Sequence, residues 1–238
     1  MIDFEKEFGK PGHQPGFTEK AVLSRMFKIV YGWMAIGLAL SGVSAWYTAS
    51  SGLWATILNG PGFLTCVIVE LALVFILSAA INKMPAAFAY VMFLAYALVN
   101  GLTLSVVFVA YELAAVQRVF FITAAMFGGL ALWGSFTKDD LTSVGSFCYM
   151  ALWGLIVAGI VNIFMHSDAL DYICSIAGIL IFTGLTMYDA QKIKRLAEAE
   201  GTMDSVAIHR VGIIGALNLY LDFVNLFLHL LRLMGRKR

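Results

Sequence analysis

The sequence predicts an all-α polytopic membrane protein with seven transmembrane helices, the last of them central in a ring of the other six. Three observations lead there. Of the 238 residues, 61% are hydrophobic and only 13% are charged, against about 25% charged in a soluble domain. The apolar excess extends from Phe27 to Leu231, and it divides into seven runs of the roughly twenty residues that cross hydrocarbon as helix. The last run carries Asn218, Asp222 and Asn225 at i, i+4 and i+7, one helical face that must be shielded from lipid.

Residues 1–25 read as a cytoplasmic N-terminal tail. Asp3, Glu5, Lys6, Glu7 and Lys10 are mixed there with Pro11, Gly12, Pro15 and Gly16, and no apolar core precedes residue 26. That composition argues against a cleaved signal peptide and for a solvated segment. Residues 26–232 make the transmembrane domain, and 233–238 a basic C-terminal tail.

The first span covers 27–49, entered through Arg25 and Lys28, and an uncharged loop follows at 52–61. The second, 62–81, ends at Asn82-Lys83-Met84-Pro85; the third runs over 86–111 and the fourth over 116–136. Lys138-Asp139-Asp140 is a polar turn before the fifth span at 144–165. The sixth covers 170–188 and the seventh 208–231. Between them, residues 191–200 are good helix formers, so the sixth helix should continue beyond the membrane.

Basic residues set the orientation, since Lys and Arg accumulate in cytoplasmic loops. With the N-terminus inside, eleven of the sixteen fall on the inner side. Four of the remaining five are Arg232, Arg236, Lys237 and Arg238. Either the seventh helix crosses and carries this tail outside, or it is short or re-entrant and the tail returns.

The net charge of +1 gives no reason to expect nucleic acid. Cys66, Cys148 and Cys174 are widely spaced in apolar runs and read as small buried hydrophobes. His166, Asp168, Asp171 and His209 show no metal-ligand spacing. No Walker A loop, dinucleotide fingerprint or nucleophile elbow is present, so neither an enzyme nor a bound cofactor is expected.

The chemistry lies in three acids within apolar runs. A carboxylate deep in a membrane helix costs several kcal/mol, and such residues mark ion or proton pathways. Asp222 has no Lys or Arg within a helical turn. Asp189 reads either as an interfacial residue partnered by Lys192 or as a second functional acid. The midpoint between the two falls at Ser205/Val206, just past the polar turn Gly201-Thr202-Met203-Asp204. Continuous helix on both arms, at about 1.5 Å per residue, puts the carboxyls at one depth, where two acids can share a proton. Glu70 either lines the same cavity or hydrogen-bonds to a neighbouring helix. Asn100, Asn218 and Asn225 are candidate pathway-lining residues, although Asn100 reads more simply as an interhelical hydrogen bonder. Thr103, Ser105 and Asn162 read more simply as interhelical hydrogen bonders.

The segments Asn100-Gly101-Leu102-Thr103-Leu104-Ser105, Thr186-Met187-Tyr188-Asp189-Ala190-Gln191 and Leu219-Tyr220-Leu221-Asp222-Phe223-Val224-Asn225-Leu226-Phe227 resemble those of the Bax inhibitor-1 family, bacterial branch. The resemblance covers residues 20–235. It implies a seven-helix fold with a central last helix, in the bacterial inner membrane. It also implies a pH-sensitive calcium leak, with Ca²⁺ as the permeating ion held transiently by two gating aspartates, which the motif match assigns to Asp189 and Asp222. Some relatives place an arginine of the second helix beside the pair; here that span has Glu70 and no Arg or Lys. Two other readings stand beside the leak. One is a non-transporting regulator of a membrane-bound protease or other membrane complex. The other is a proton-coupled transporter of another solute.

Overall fold

A computed structural model of the chain describes residues 19–58, 61–81, 84–199 and 205–236. Among the described residues eight helices run in order: α1 (Glu19–Ser50), α2 (Leu53–Leu58), α3 (Gly62–Ala80), α4 (Ala86–Ala110), α5 (Leu113–Phe136), α6 (Thr142–Met165), α7 (Asp168–Ala199) and α8 (Ser205–Met234). Among the described residues, seven of them are long and apolar enough to cross a membrane. The eighth, α2, is a short helix inside the segment expected to be plain loop. Most of the proposed N-terminal tail, Asn82-Lys83, the turn Gly201–Asp204 and the last two residues lie outside the described residues.

The helix ends follow local chemistry. Pro85 stands extended immediately before α4, where its missing N–H costs nothing. His166 closes α6 in the left-handed region at φ 49° and donates its N–H to the Asn162 carbonyl, an αL stop. The Asn162 side chain then accepts from the Ser167 N–H at 3.0 Å. Asn162 therefore shapes the α6–α7 corner and does not bridge helices. As expected, α7 continues past the apolar run to Ala199. α1 starts at Glu19, within the segment assigned to the tail.

Packing separates the helices into two classes. Of the α8 membrane window 67% is buried, against 6% for α3 and 6% for α6. α8 packs against α7, α1, α5 and α4, while α3 packs mainly on α4 and α6 on α7. Large apolar side chains such as Phe75 of α3 and Phe164 of α6 face outward, as they do where lipid is the solvent.

The C-terminus settles which course α8 takes. The Glu112 N–H donates to the Arg236 carbonyl at 3.1 Å, and the Arg236 guanidinium lies 3.3 Å from the Glu112 carboxylate. Arg232 faces Asp171 at the start of α7. The tail is thus held at the α4–α5 and α6–α7 corners, opposite the α7–α8 connection. Thirty residues of helix, about 45 Å long, cross from one end of the bundle to the other without re-entry.

Candidate functional site

Two glycines set the register of α7 against α8. Gly178 lies directly against the His229 ring, and Gly215 against Ile193, with no slack for a Cβ at Gly178. This antiparallel register puts Asp222 level with Leu185 and Thr186. Asp189 then lies about one helical turn, ~5 Å along the axis, nearer the α7–α8 connection. The two acids are neighbours one turn out of level, because the two arms of the hairpin are unequal in length.

Both are enclosed: Asp189 is 3% exposed and Asp222 4%. The Tyr149 hydroxyl of α6 donates to Asp189 Oδ1 at 3.4 Å, and its ring meets Tyr188 edge-on. Asp189 lies within electrostatic range of Asp222, and both lie within range of Tyr149. Asp222 Oδ2 is buried and has no hydrogen-bond partner. Asp189 also opens on a cavity of about 170 Å³ at the α7–α8 end, which it shares with Asn218, Lys192 and Arg210. Lys192 is therefore near Asp189, as the interfacial reading expects, yet the carboxyl itself is buried.

Glu70 is elsewhere. Its Oε1 accepts from the Thr103 hydroxyl at 2.7 Å and its Oε2 from Asn100 Nδ2 at 3.3 Å. Asn100 Oδ1 in turn accepts from the Tyr220 hydroxyl at 2.8 Å, and that hydroxyl lies 2.6 Å from Ser41 Oγ. The chain of bonds ties α3, α4, α8 and α1 together. Glu70, Asn100 and Asn225 line a cavity of about 480 Å³ that extends to Arg232 at the C-terminal end. Asn225 Nδ2 meanwhile donates to the Leu221 carbonyl at 2.8 Å.

The six candidate residues therefore divide. Asp189 and Asn218 share one cavity, and Glu70, Asn100 and Asn225 share another at the opposite end. Asp222 lies between these levels on α8, on the face that meets α7. Of the two readings of Glu70, hydrogen bonding to a neighbouring helix describes its contacts. Neither Tyr149 nor Tyr220 stands out in the sequence. Tyr149 carries no local signal, because its partner is on another helix. Tyr220 had one: two residues before Asp222, it must project about 200° away from it.

Outside the spans, the α5–α6 loop is clamped to α7. Gln191 accepts from the Leu141 N–H at 3.0 Å and donates to the Asp139 carbonyl at 2.7 Å. Arg195 reaches Asp140 at 2.8 Å. Bonds from the Thr142 hydroxyl and N–H, then Arg195, pull the Asp140 carboxyl down to about 2. Among the described residues, no group of three or more His, Cys, Asp or Glu is placed to hold a metal ion.

Comparison with known proteins identifies the lineage. The family profile described as inhibitor of apoptosis-promoting Bax1 matches residues 23–238. The chain belongs to the Bax inhibitor-1 family. The inner membrane protein YbhL of Escherichia coli K12 is 42% identical over 221 residues, covering 92% of this chain and 94% of YbhL. A Borreliella burgdorferi protein is 38% identical over 92% of this chain and 95% of its own. Rickettsia prowazekii RP147 is 37% identical over the full length of both. Bax inhibitor-1 proteins are non-catalytic, and the present member is an integral, multi-pass membrane protein.

Proposed function

We propose that the chain is a pH-sensitive calcium leak channel of the bacterial inner membrane, gated by a proton shared between Asp189 and Asp222. One observation carries the reading. Two acids one turn apart on adjacent helices are both buried, and an oxygen of Asp222 has no partner. With one proton between them the pair has a single charge, and α7 and α8 remain together. Loss of that proton leaves two like charges in poorly screened surroundings, which repel strongly. α8, acting as the central helix, then shifts to admit water and cation.

The two cavities serve as half-vestibules on either side of this closed middle. Carboxylate and amide oxygens suit Ca²⁺: Asp189 and Asn218 offer them at one end, and Glu70, Asn100 and Asn225 at the other. So few ligands fit transient passage better than tight binding. The inner-membrane location follows YbhL, whose name states it, and basic-residue asymmetry favours a cytoplasmic N-terminus.

Ca²⁺ flux into proteoliposomes, measured against pH, tests the reading. Wild type should conduct more as pH rises, and Asp189→Asn and Asp222→Asn should each lose that dependence. Wild-type vesicles that pass no Ca²⁺ at any pH would overturn the channel and leave the regulator reading in its place.

A further inference from the structure

α1 and α5 both pack on α8 but do not pack along each other. They come together where Tyr31 of α1 lies beside Ser135 of α5, a contact near the α7–α8 end. Beyond it they diverge around a groove of about 720 Å³, lined by Leu38 and Trp46 of α1, Phe120 of α5, and Phe223 and Phe227 of α8. A second cavity of about 380 Å³ extends it toward the closed end and shares Ala35, Leu38 and Phe223. Here Phe223, Val224 and Phe227 of α8 meet a space that opens between α1 and α5.

We propose that this groove is a binding site for one phospholipid acyl chain, taken from the surrounding bilayer and seated against Phe223 and Phe227. Three features select that occupant. The lining is almost wholly apolar, with Ser41 and Gln117 the polar exceptions, and this suits a hydrocarbon chain. The opening faces hydrocarbon, where acyl chains are the molecules present. The groove of about 720 Å³ also takes a single extended chain along its length, whereas a membrane-length helix about 30 Å long and 10 Å across, roughly 2,400 Å³, could only rest across its mouth. Phe223 adjoins Asp222 in sequence, so a seated chain bears on the helix that carries the gate. That last step rests on the proposed gating, but the binding itself does not.

The test uses the full chain in phosphatidylethanolamine/phosphatidylglycerol vesicles doped with a phosphatidylglycerol bearing a diazirine within one acyl chain. After illumination, peptide mapping should find adducts on Phe223 or Phe227, although both are buried. Phe75 on the outward face of α3 reports ordinary boundary lipid. Gly42 lines the groove and Gly128 its extension, and a Cβ at either meets nothing within 4 Å. Gly42→Phe and Gly128→Phe, assayed separately so that one misfolded variant does not end the test, should abolish α8 labelling and leave Phe75 labelling intact. No adduct on α8 in wild type, labelling unaffected by both plugs, or an α8 cross-link to a second copy overturns the site. Calcium flux from the same vesicles separates the two proposals. A wild type that is labelled but passes no Ca²⁺ removes the channel and keeps the lipid site. A conducting wild type without α8 adducts does the reverse.

Discussion

Glu70 and Asp222 are both acids set within membrane helices, yet their oxygens are treated in opposite ways. Both oxygens of Glu70 accept hydrogen bonds, and the donor Asn100 is itself bonded to Tyr220. Asp222 is more deeply buried and has an oxygen with no partner at all. Its neighbour Asp189 has one long bond from Tyr149. The other two buried polar atoms without partners among the described residues, Thr183 Oγ1 and His229 Nδ1, also belong to α7 and α8. A satisfied network fixes one arrangement, whereas an unsatisfied group keeps a costly demand that another arrangement can relieve. Under the proposed gating, the α1–α3–α4 side of α8 holds still and the side that faces α7 moves.

The largest expected effect contrasts the two acids directly. Asp222→Asn should abolish the pH dependence of Ca²⁺ flux, and Glu70→Gln should preserve it while altering the flux itself. If both variants lose the pH dependence to the same extent, the division between the two sides fails.

The next effect is on stability, and its sign should differ across α8. Asn100→Leu removes the centre of the bonded network and leaves the Tyr220 hydroxyl and a Glu70 oxygen short of a partner. The expected cost is about 1–3 kcal/mol, read as a lower unfolding midpoint in detergent. Thr183→Val removes a hydroxyl that has no partner and keeps the branched shape. It should be neutral or stabilising by up to about 1 kcal/mol. Destabilisation by Thr183→Val comparable with that of Asn100→Leu would show that the seam holds bonds of its own.

This contrast was only partly legible in the sequence. The spans were readable because length and hydropathy set them, and Asp189 and Asp222 stood out because a carboxylate in an apolar run has few explanations. Glu70 stood out equally, but its role did not. Whether its oxygens are satisfied depends on Asn100 and Thr103, about thirty residues away on α4. The same limit hid Tyr149, which is forty residues from Asp189 and has only ordinary apolar neighbours. The equal depth expected of the two acids fails by one turn, because a hairpin's register depends on how unequally its arms leave the turn, and composition does not encode that. α2 is not legible as a helix because six residues give no periodicity to detect.

Tyr149→Phe sharpens the role of the α6 side. It removes the hydroxyl that bonds Asp189 and so disfavours the ionised pair. Flux at a fixed alkaline pH should fall by less than about tenfold, equivalent to ~1.4 kcal/mol, with the pH dependence retained. A complete loss would make Tyr149 part of the gate itself.

The smallest effect should come from the clamp between Asp140 and Arg195, although it lies nearest to α7 outside the membrane. Asp140 is held down to about 2, first by the Thr142 hydroxyl and N–H and then by Arg195. A depressed carboxyl contributes stability above its ordinary value of about 3.9 and loses it only as pH falls through the folded value. Between about pH 5 and 8, where histidine-range sensing operates, the charge on Asp140 does not change. Asp140→Asn should therefore leave the flux–pH curve in place, and the exposed pair it breaks contributes little to stability. A displaced curve in this variant would mean that the α5–α6 loop transmits to α7 through Gln191 and Arg195. The moving side of α8 would then begin outside the bilayer, at the clamp, and not at the buried acids.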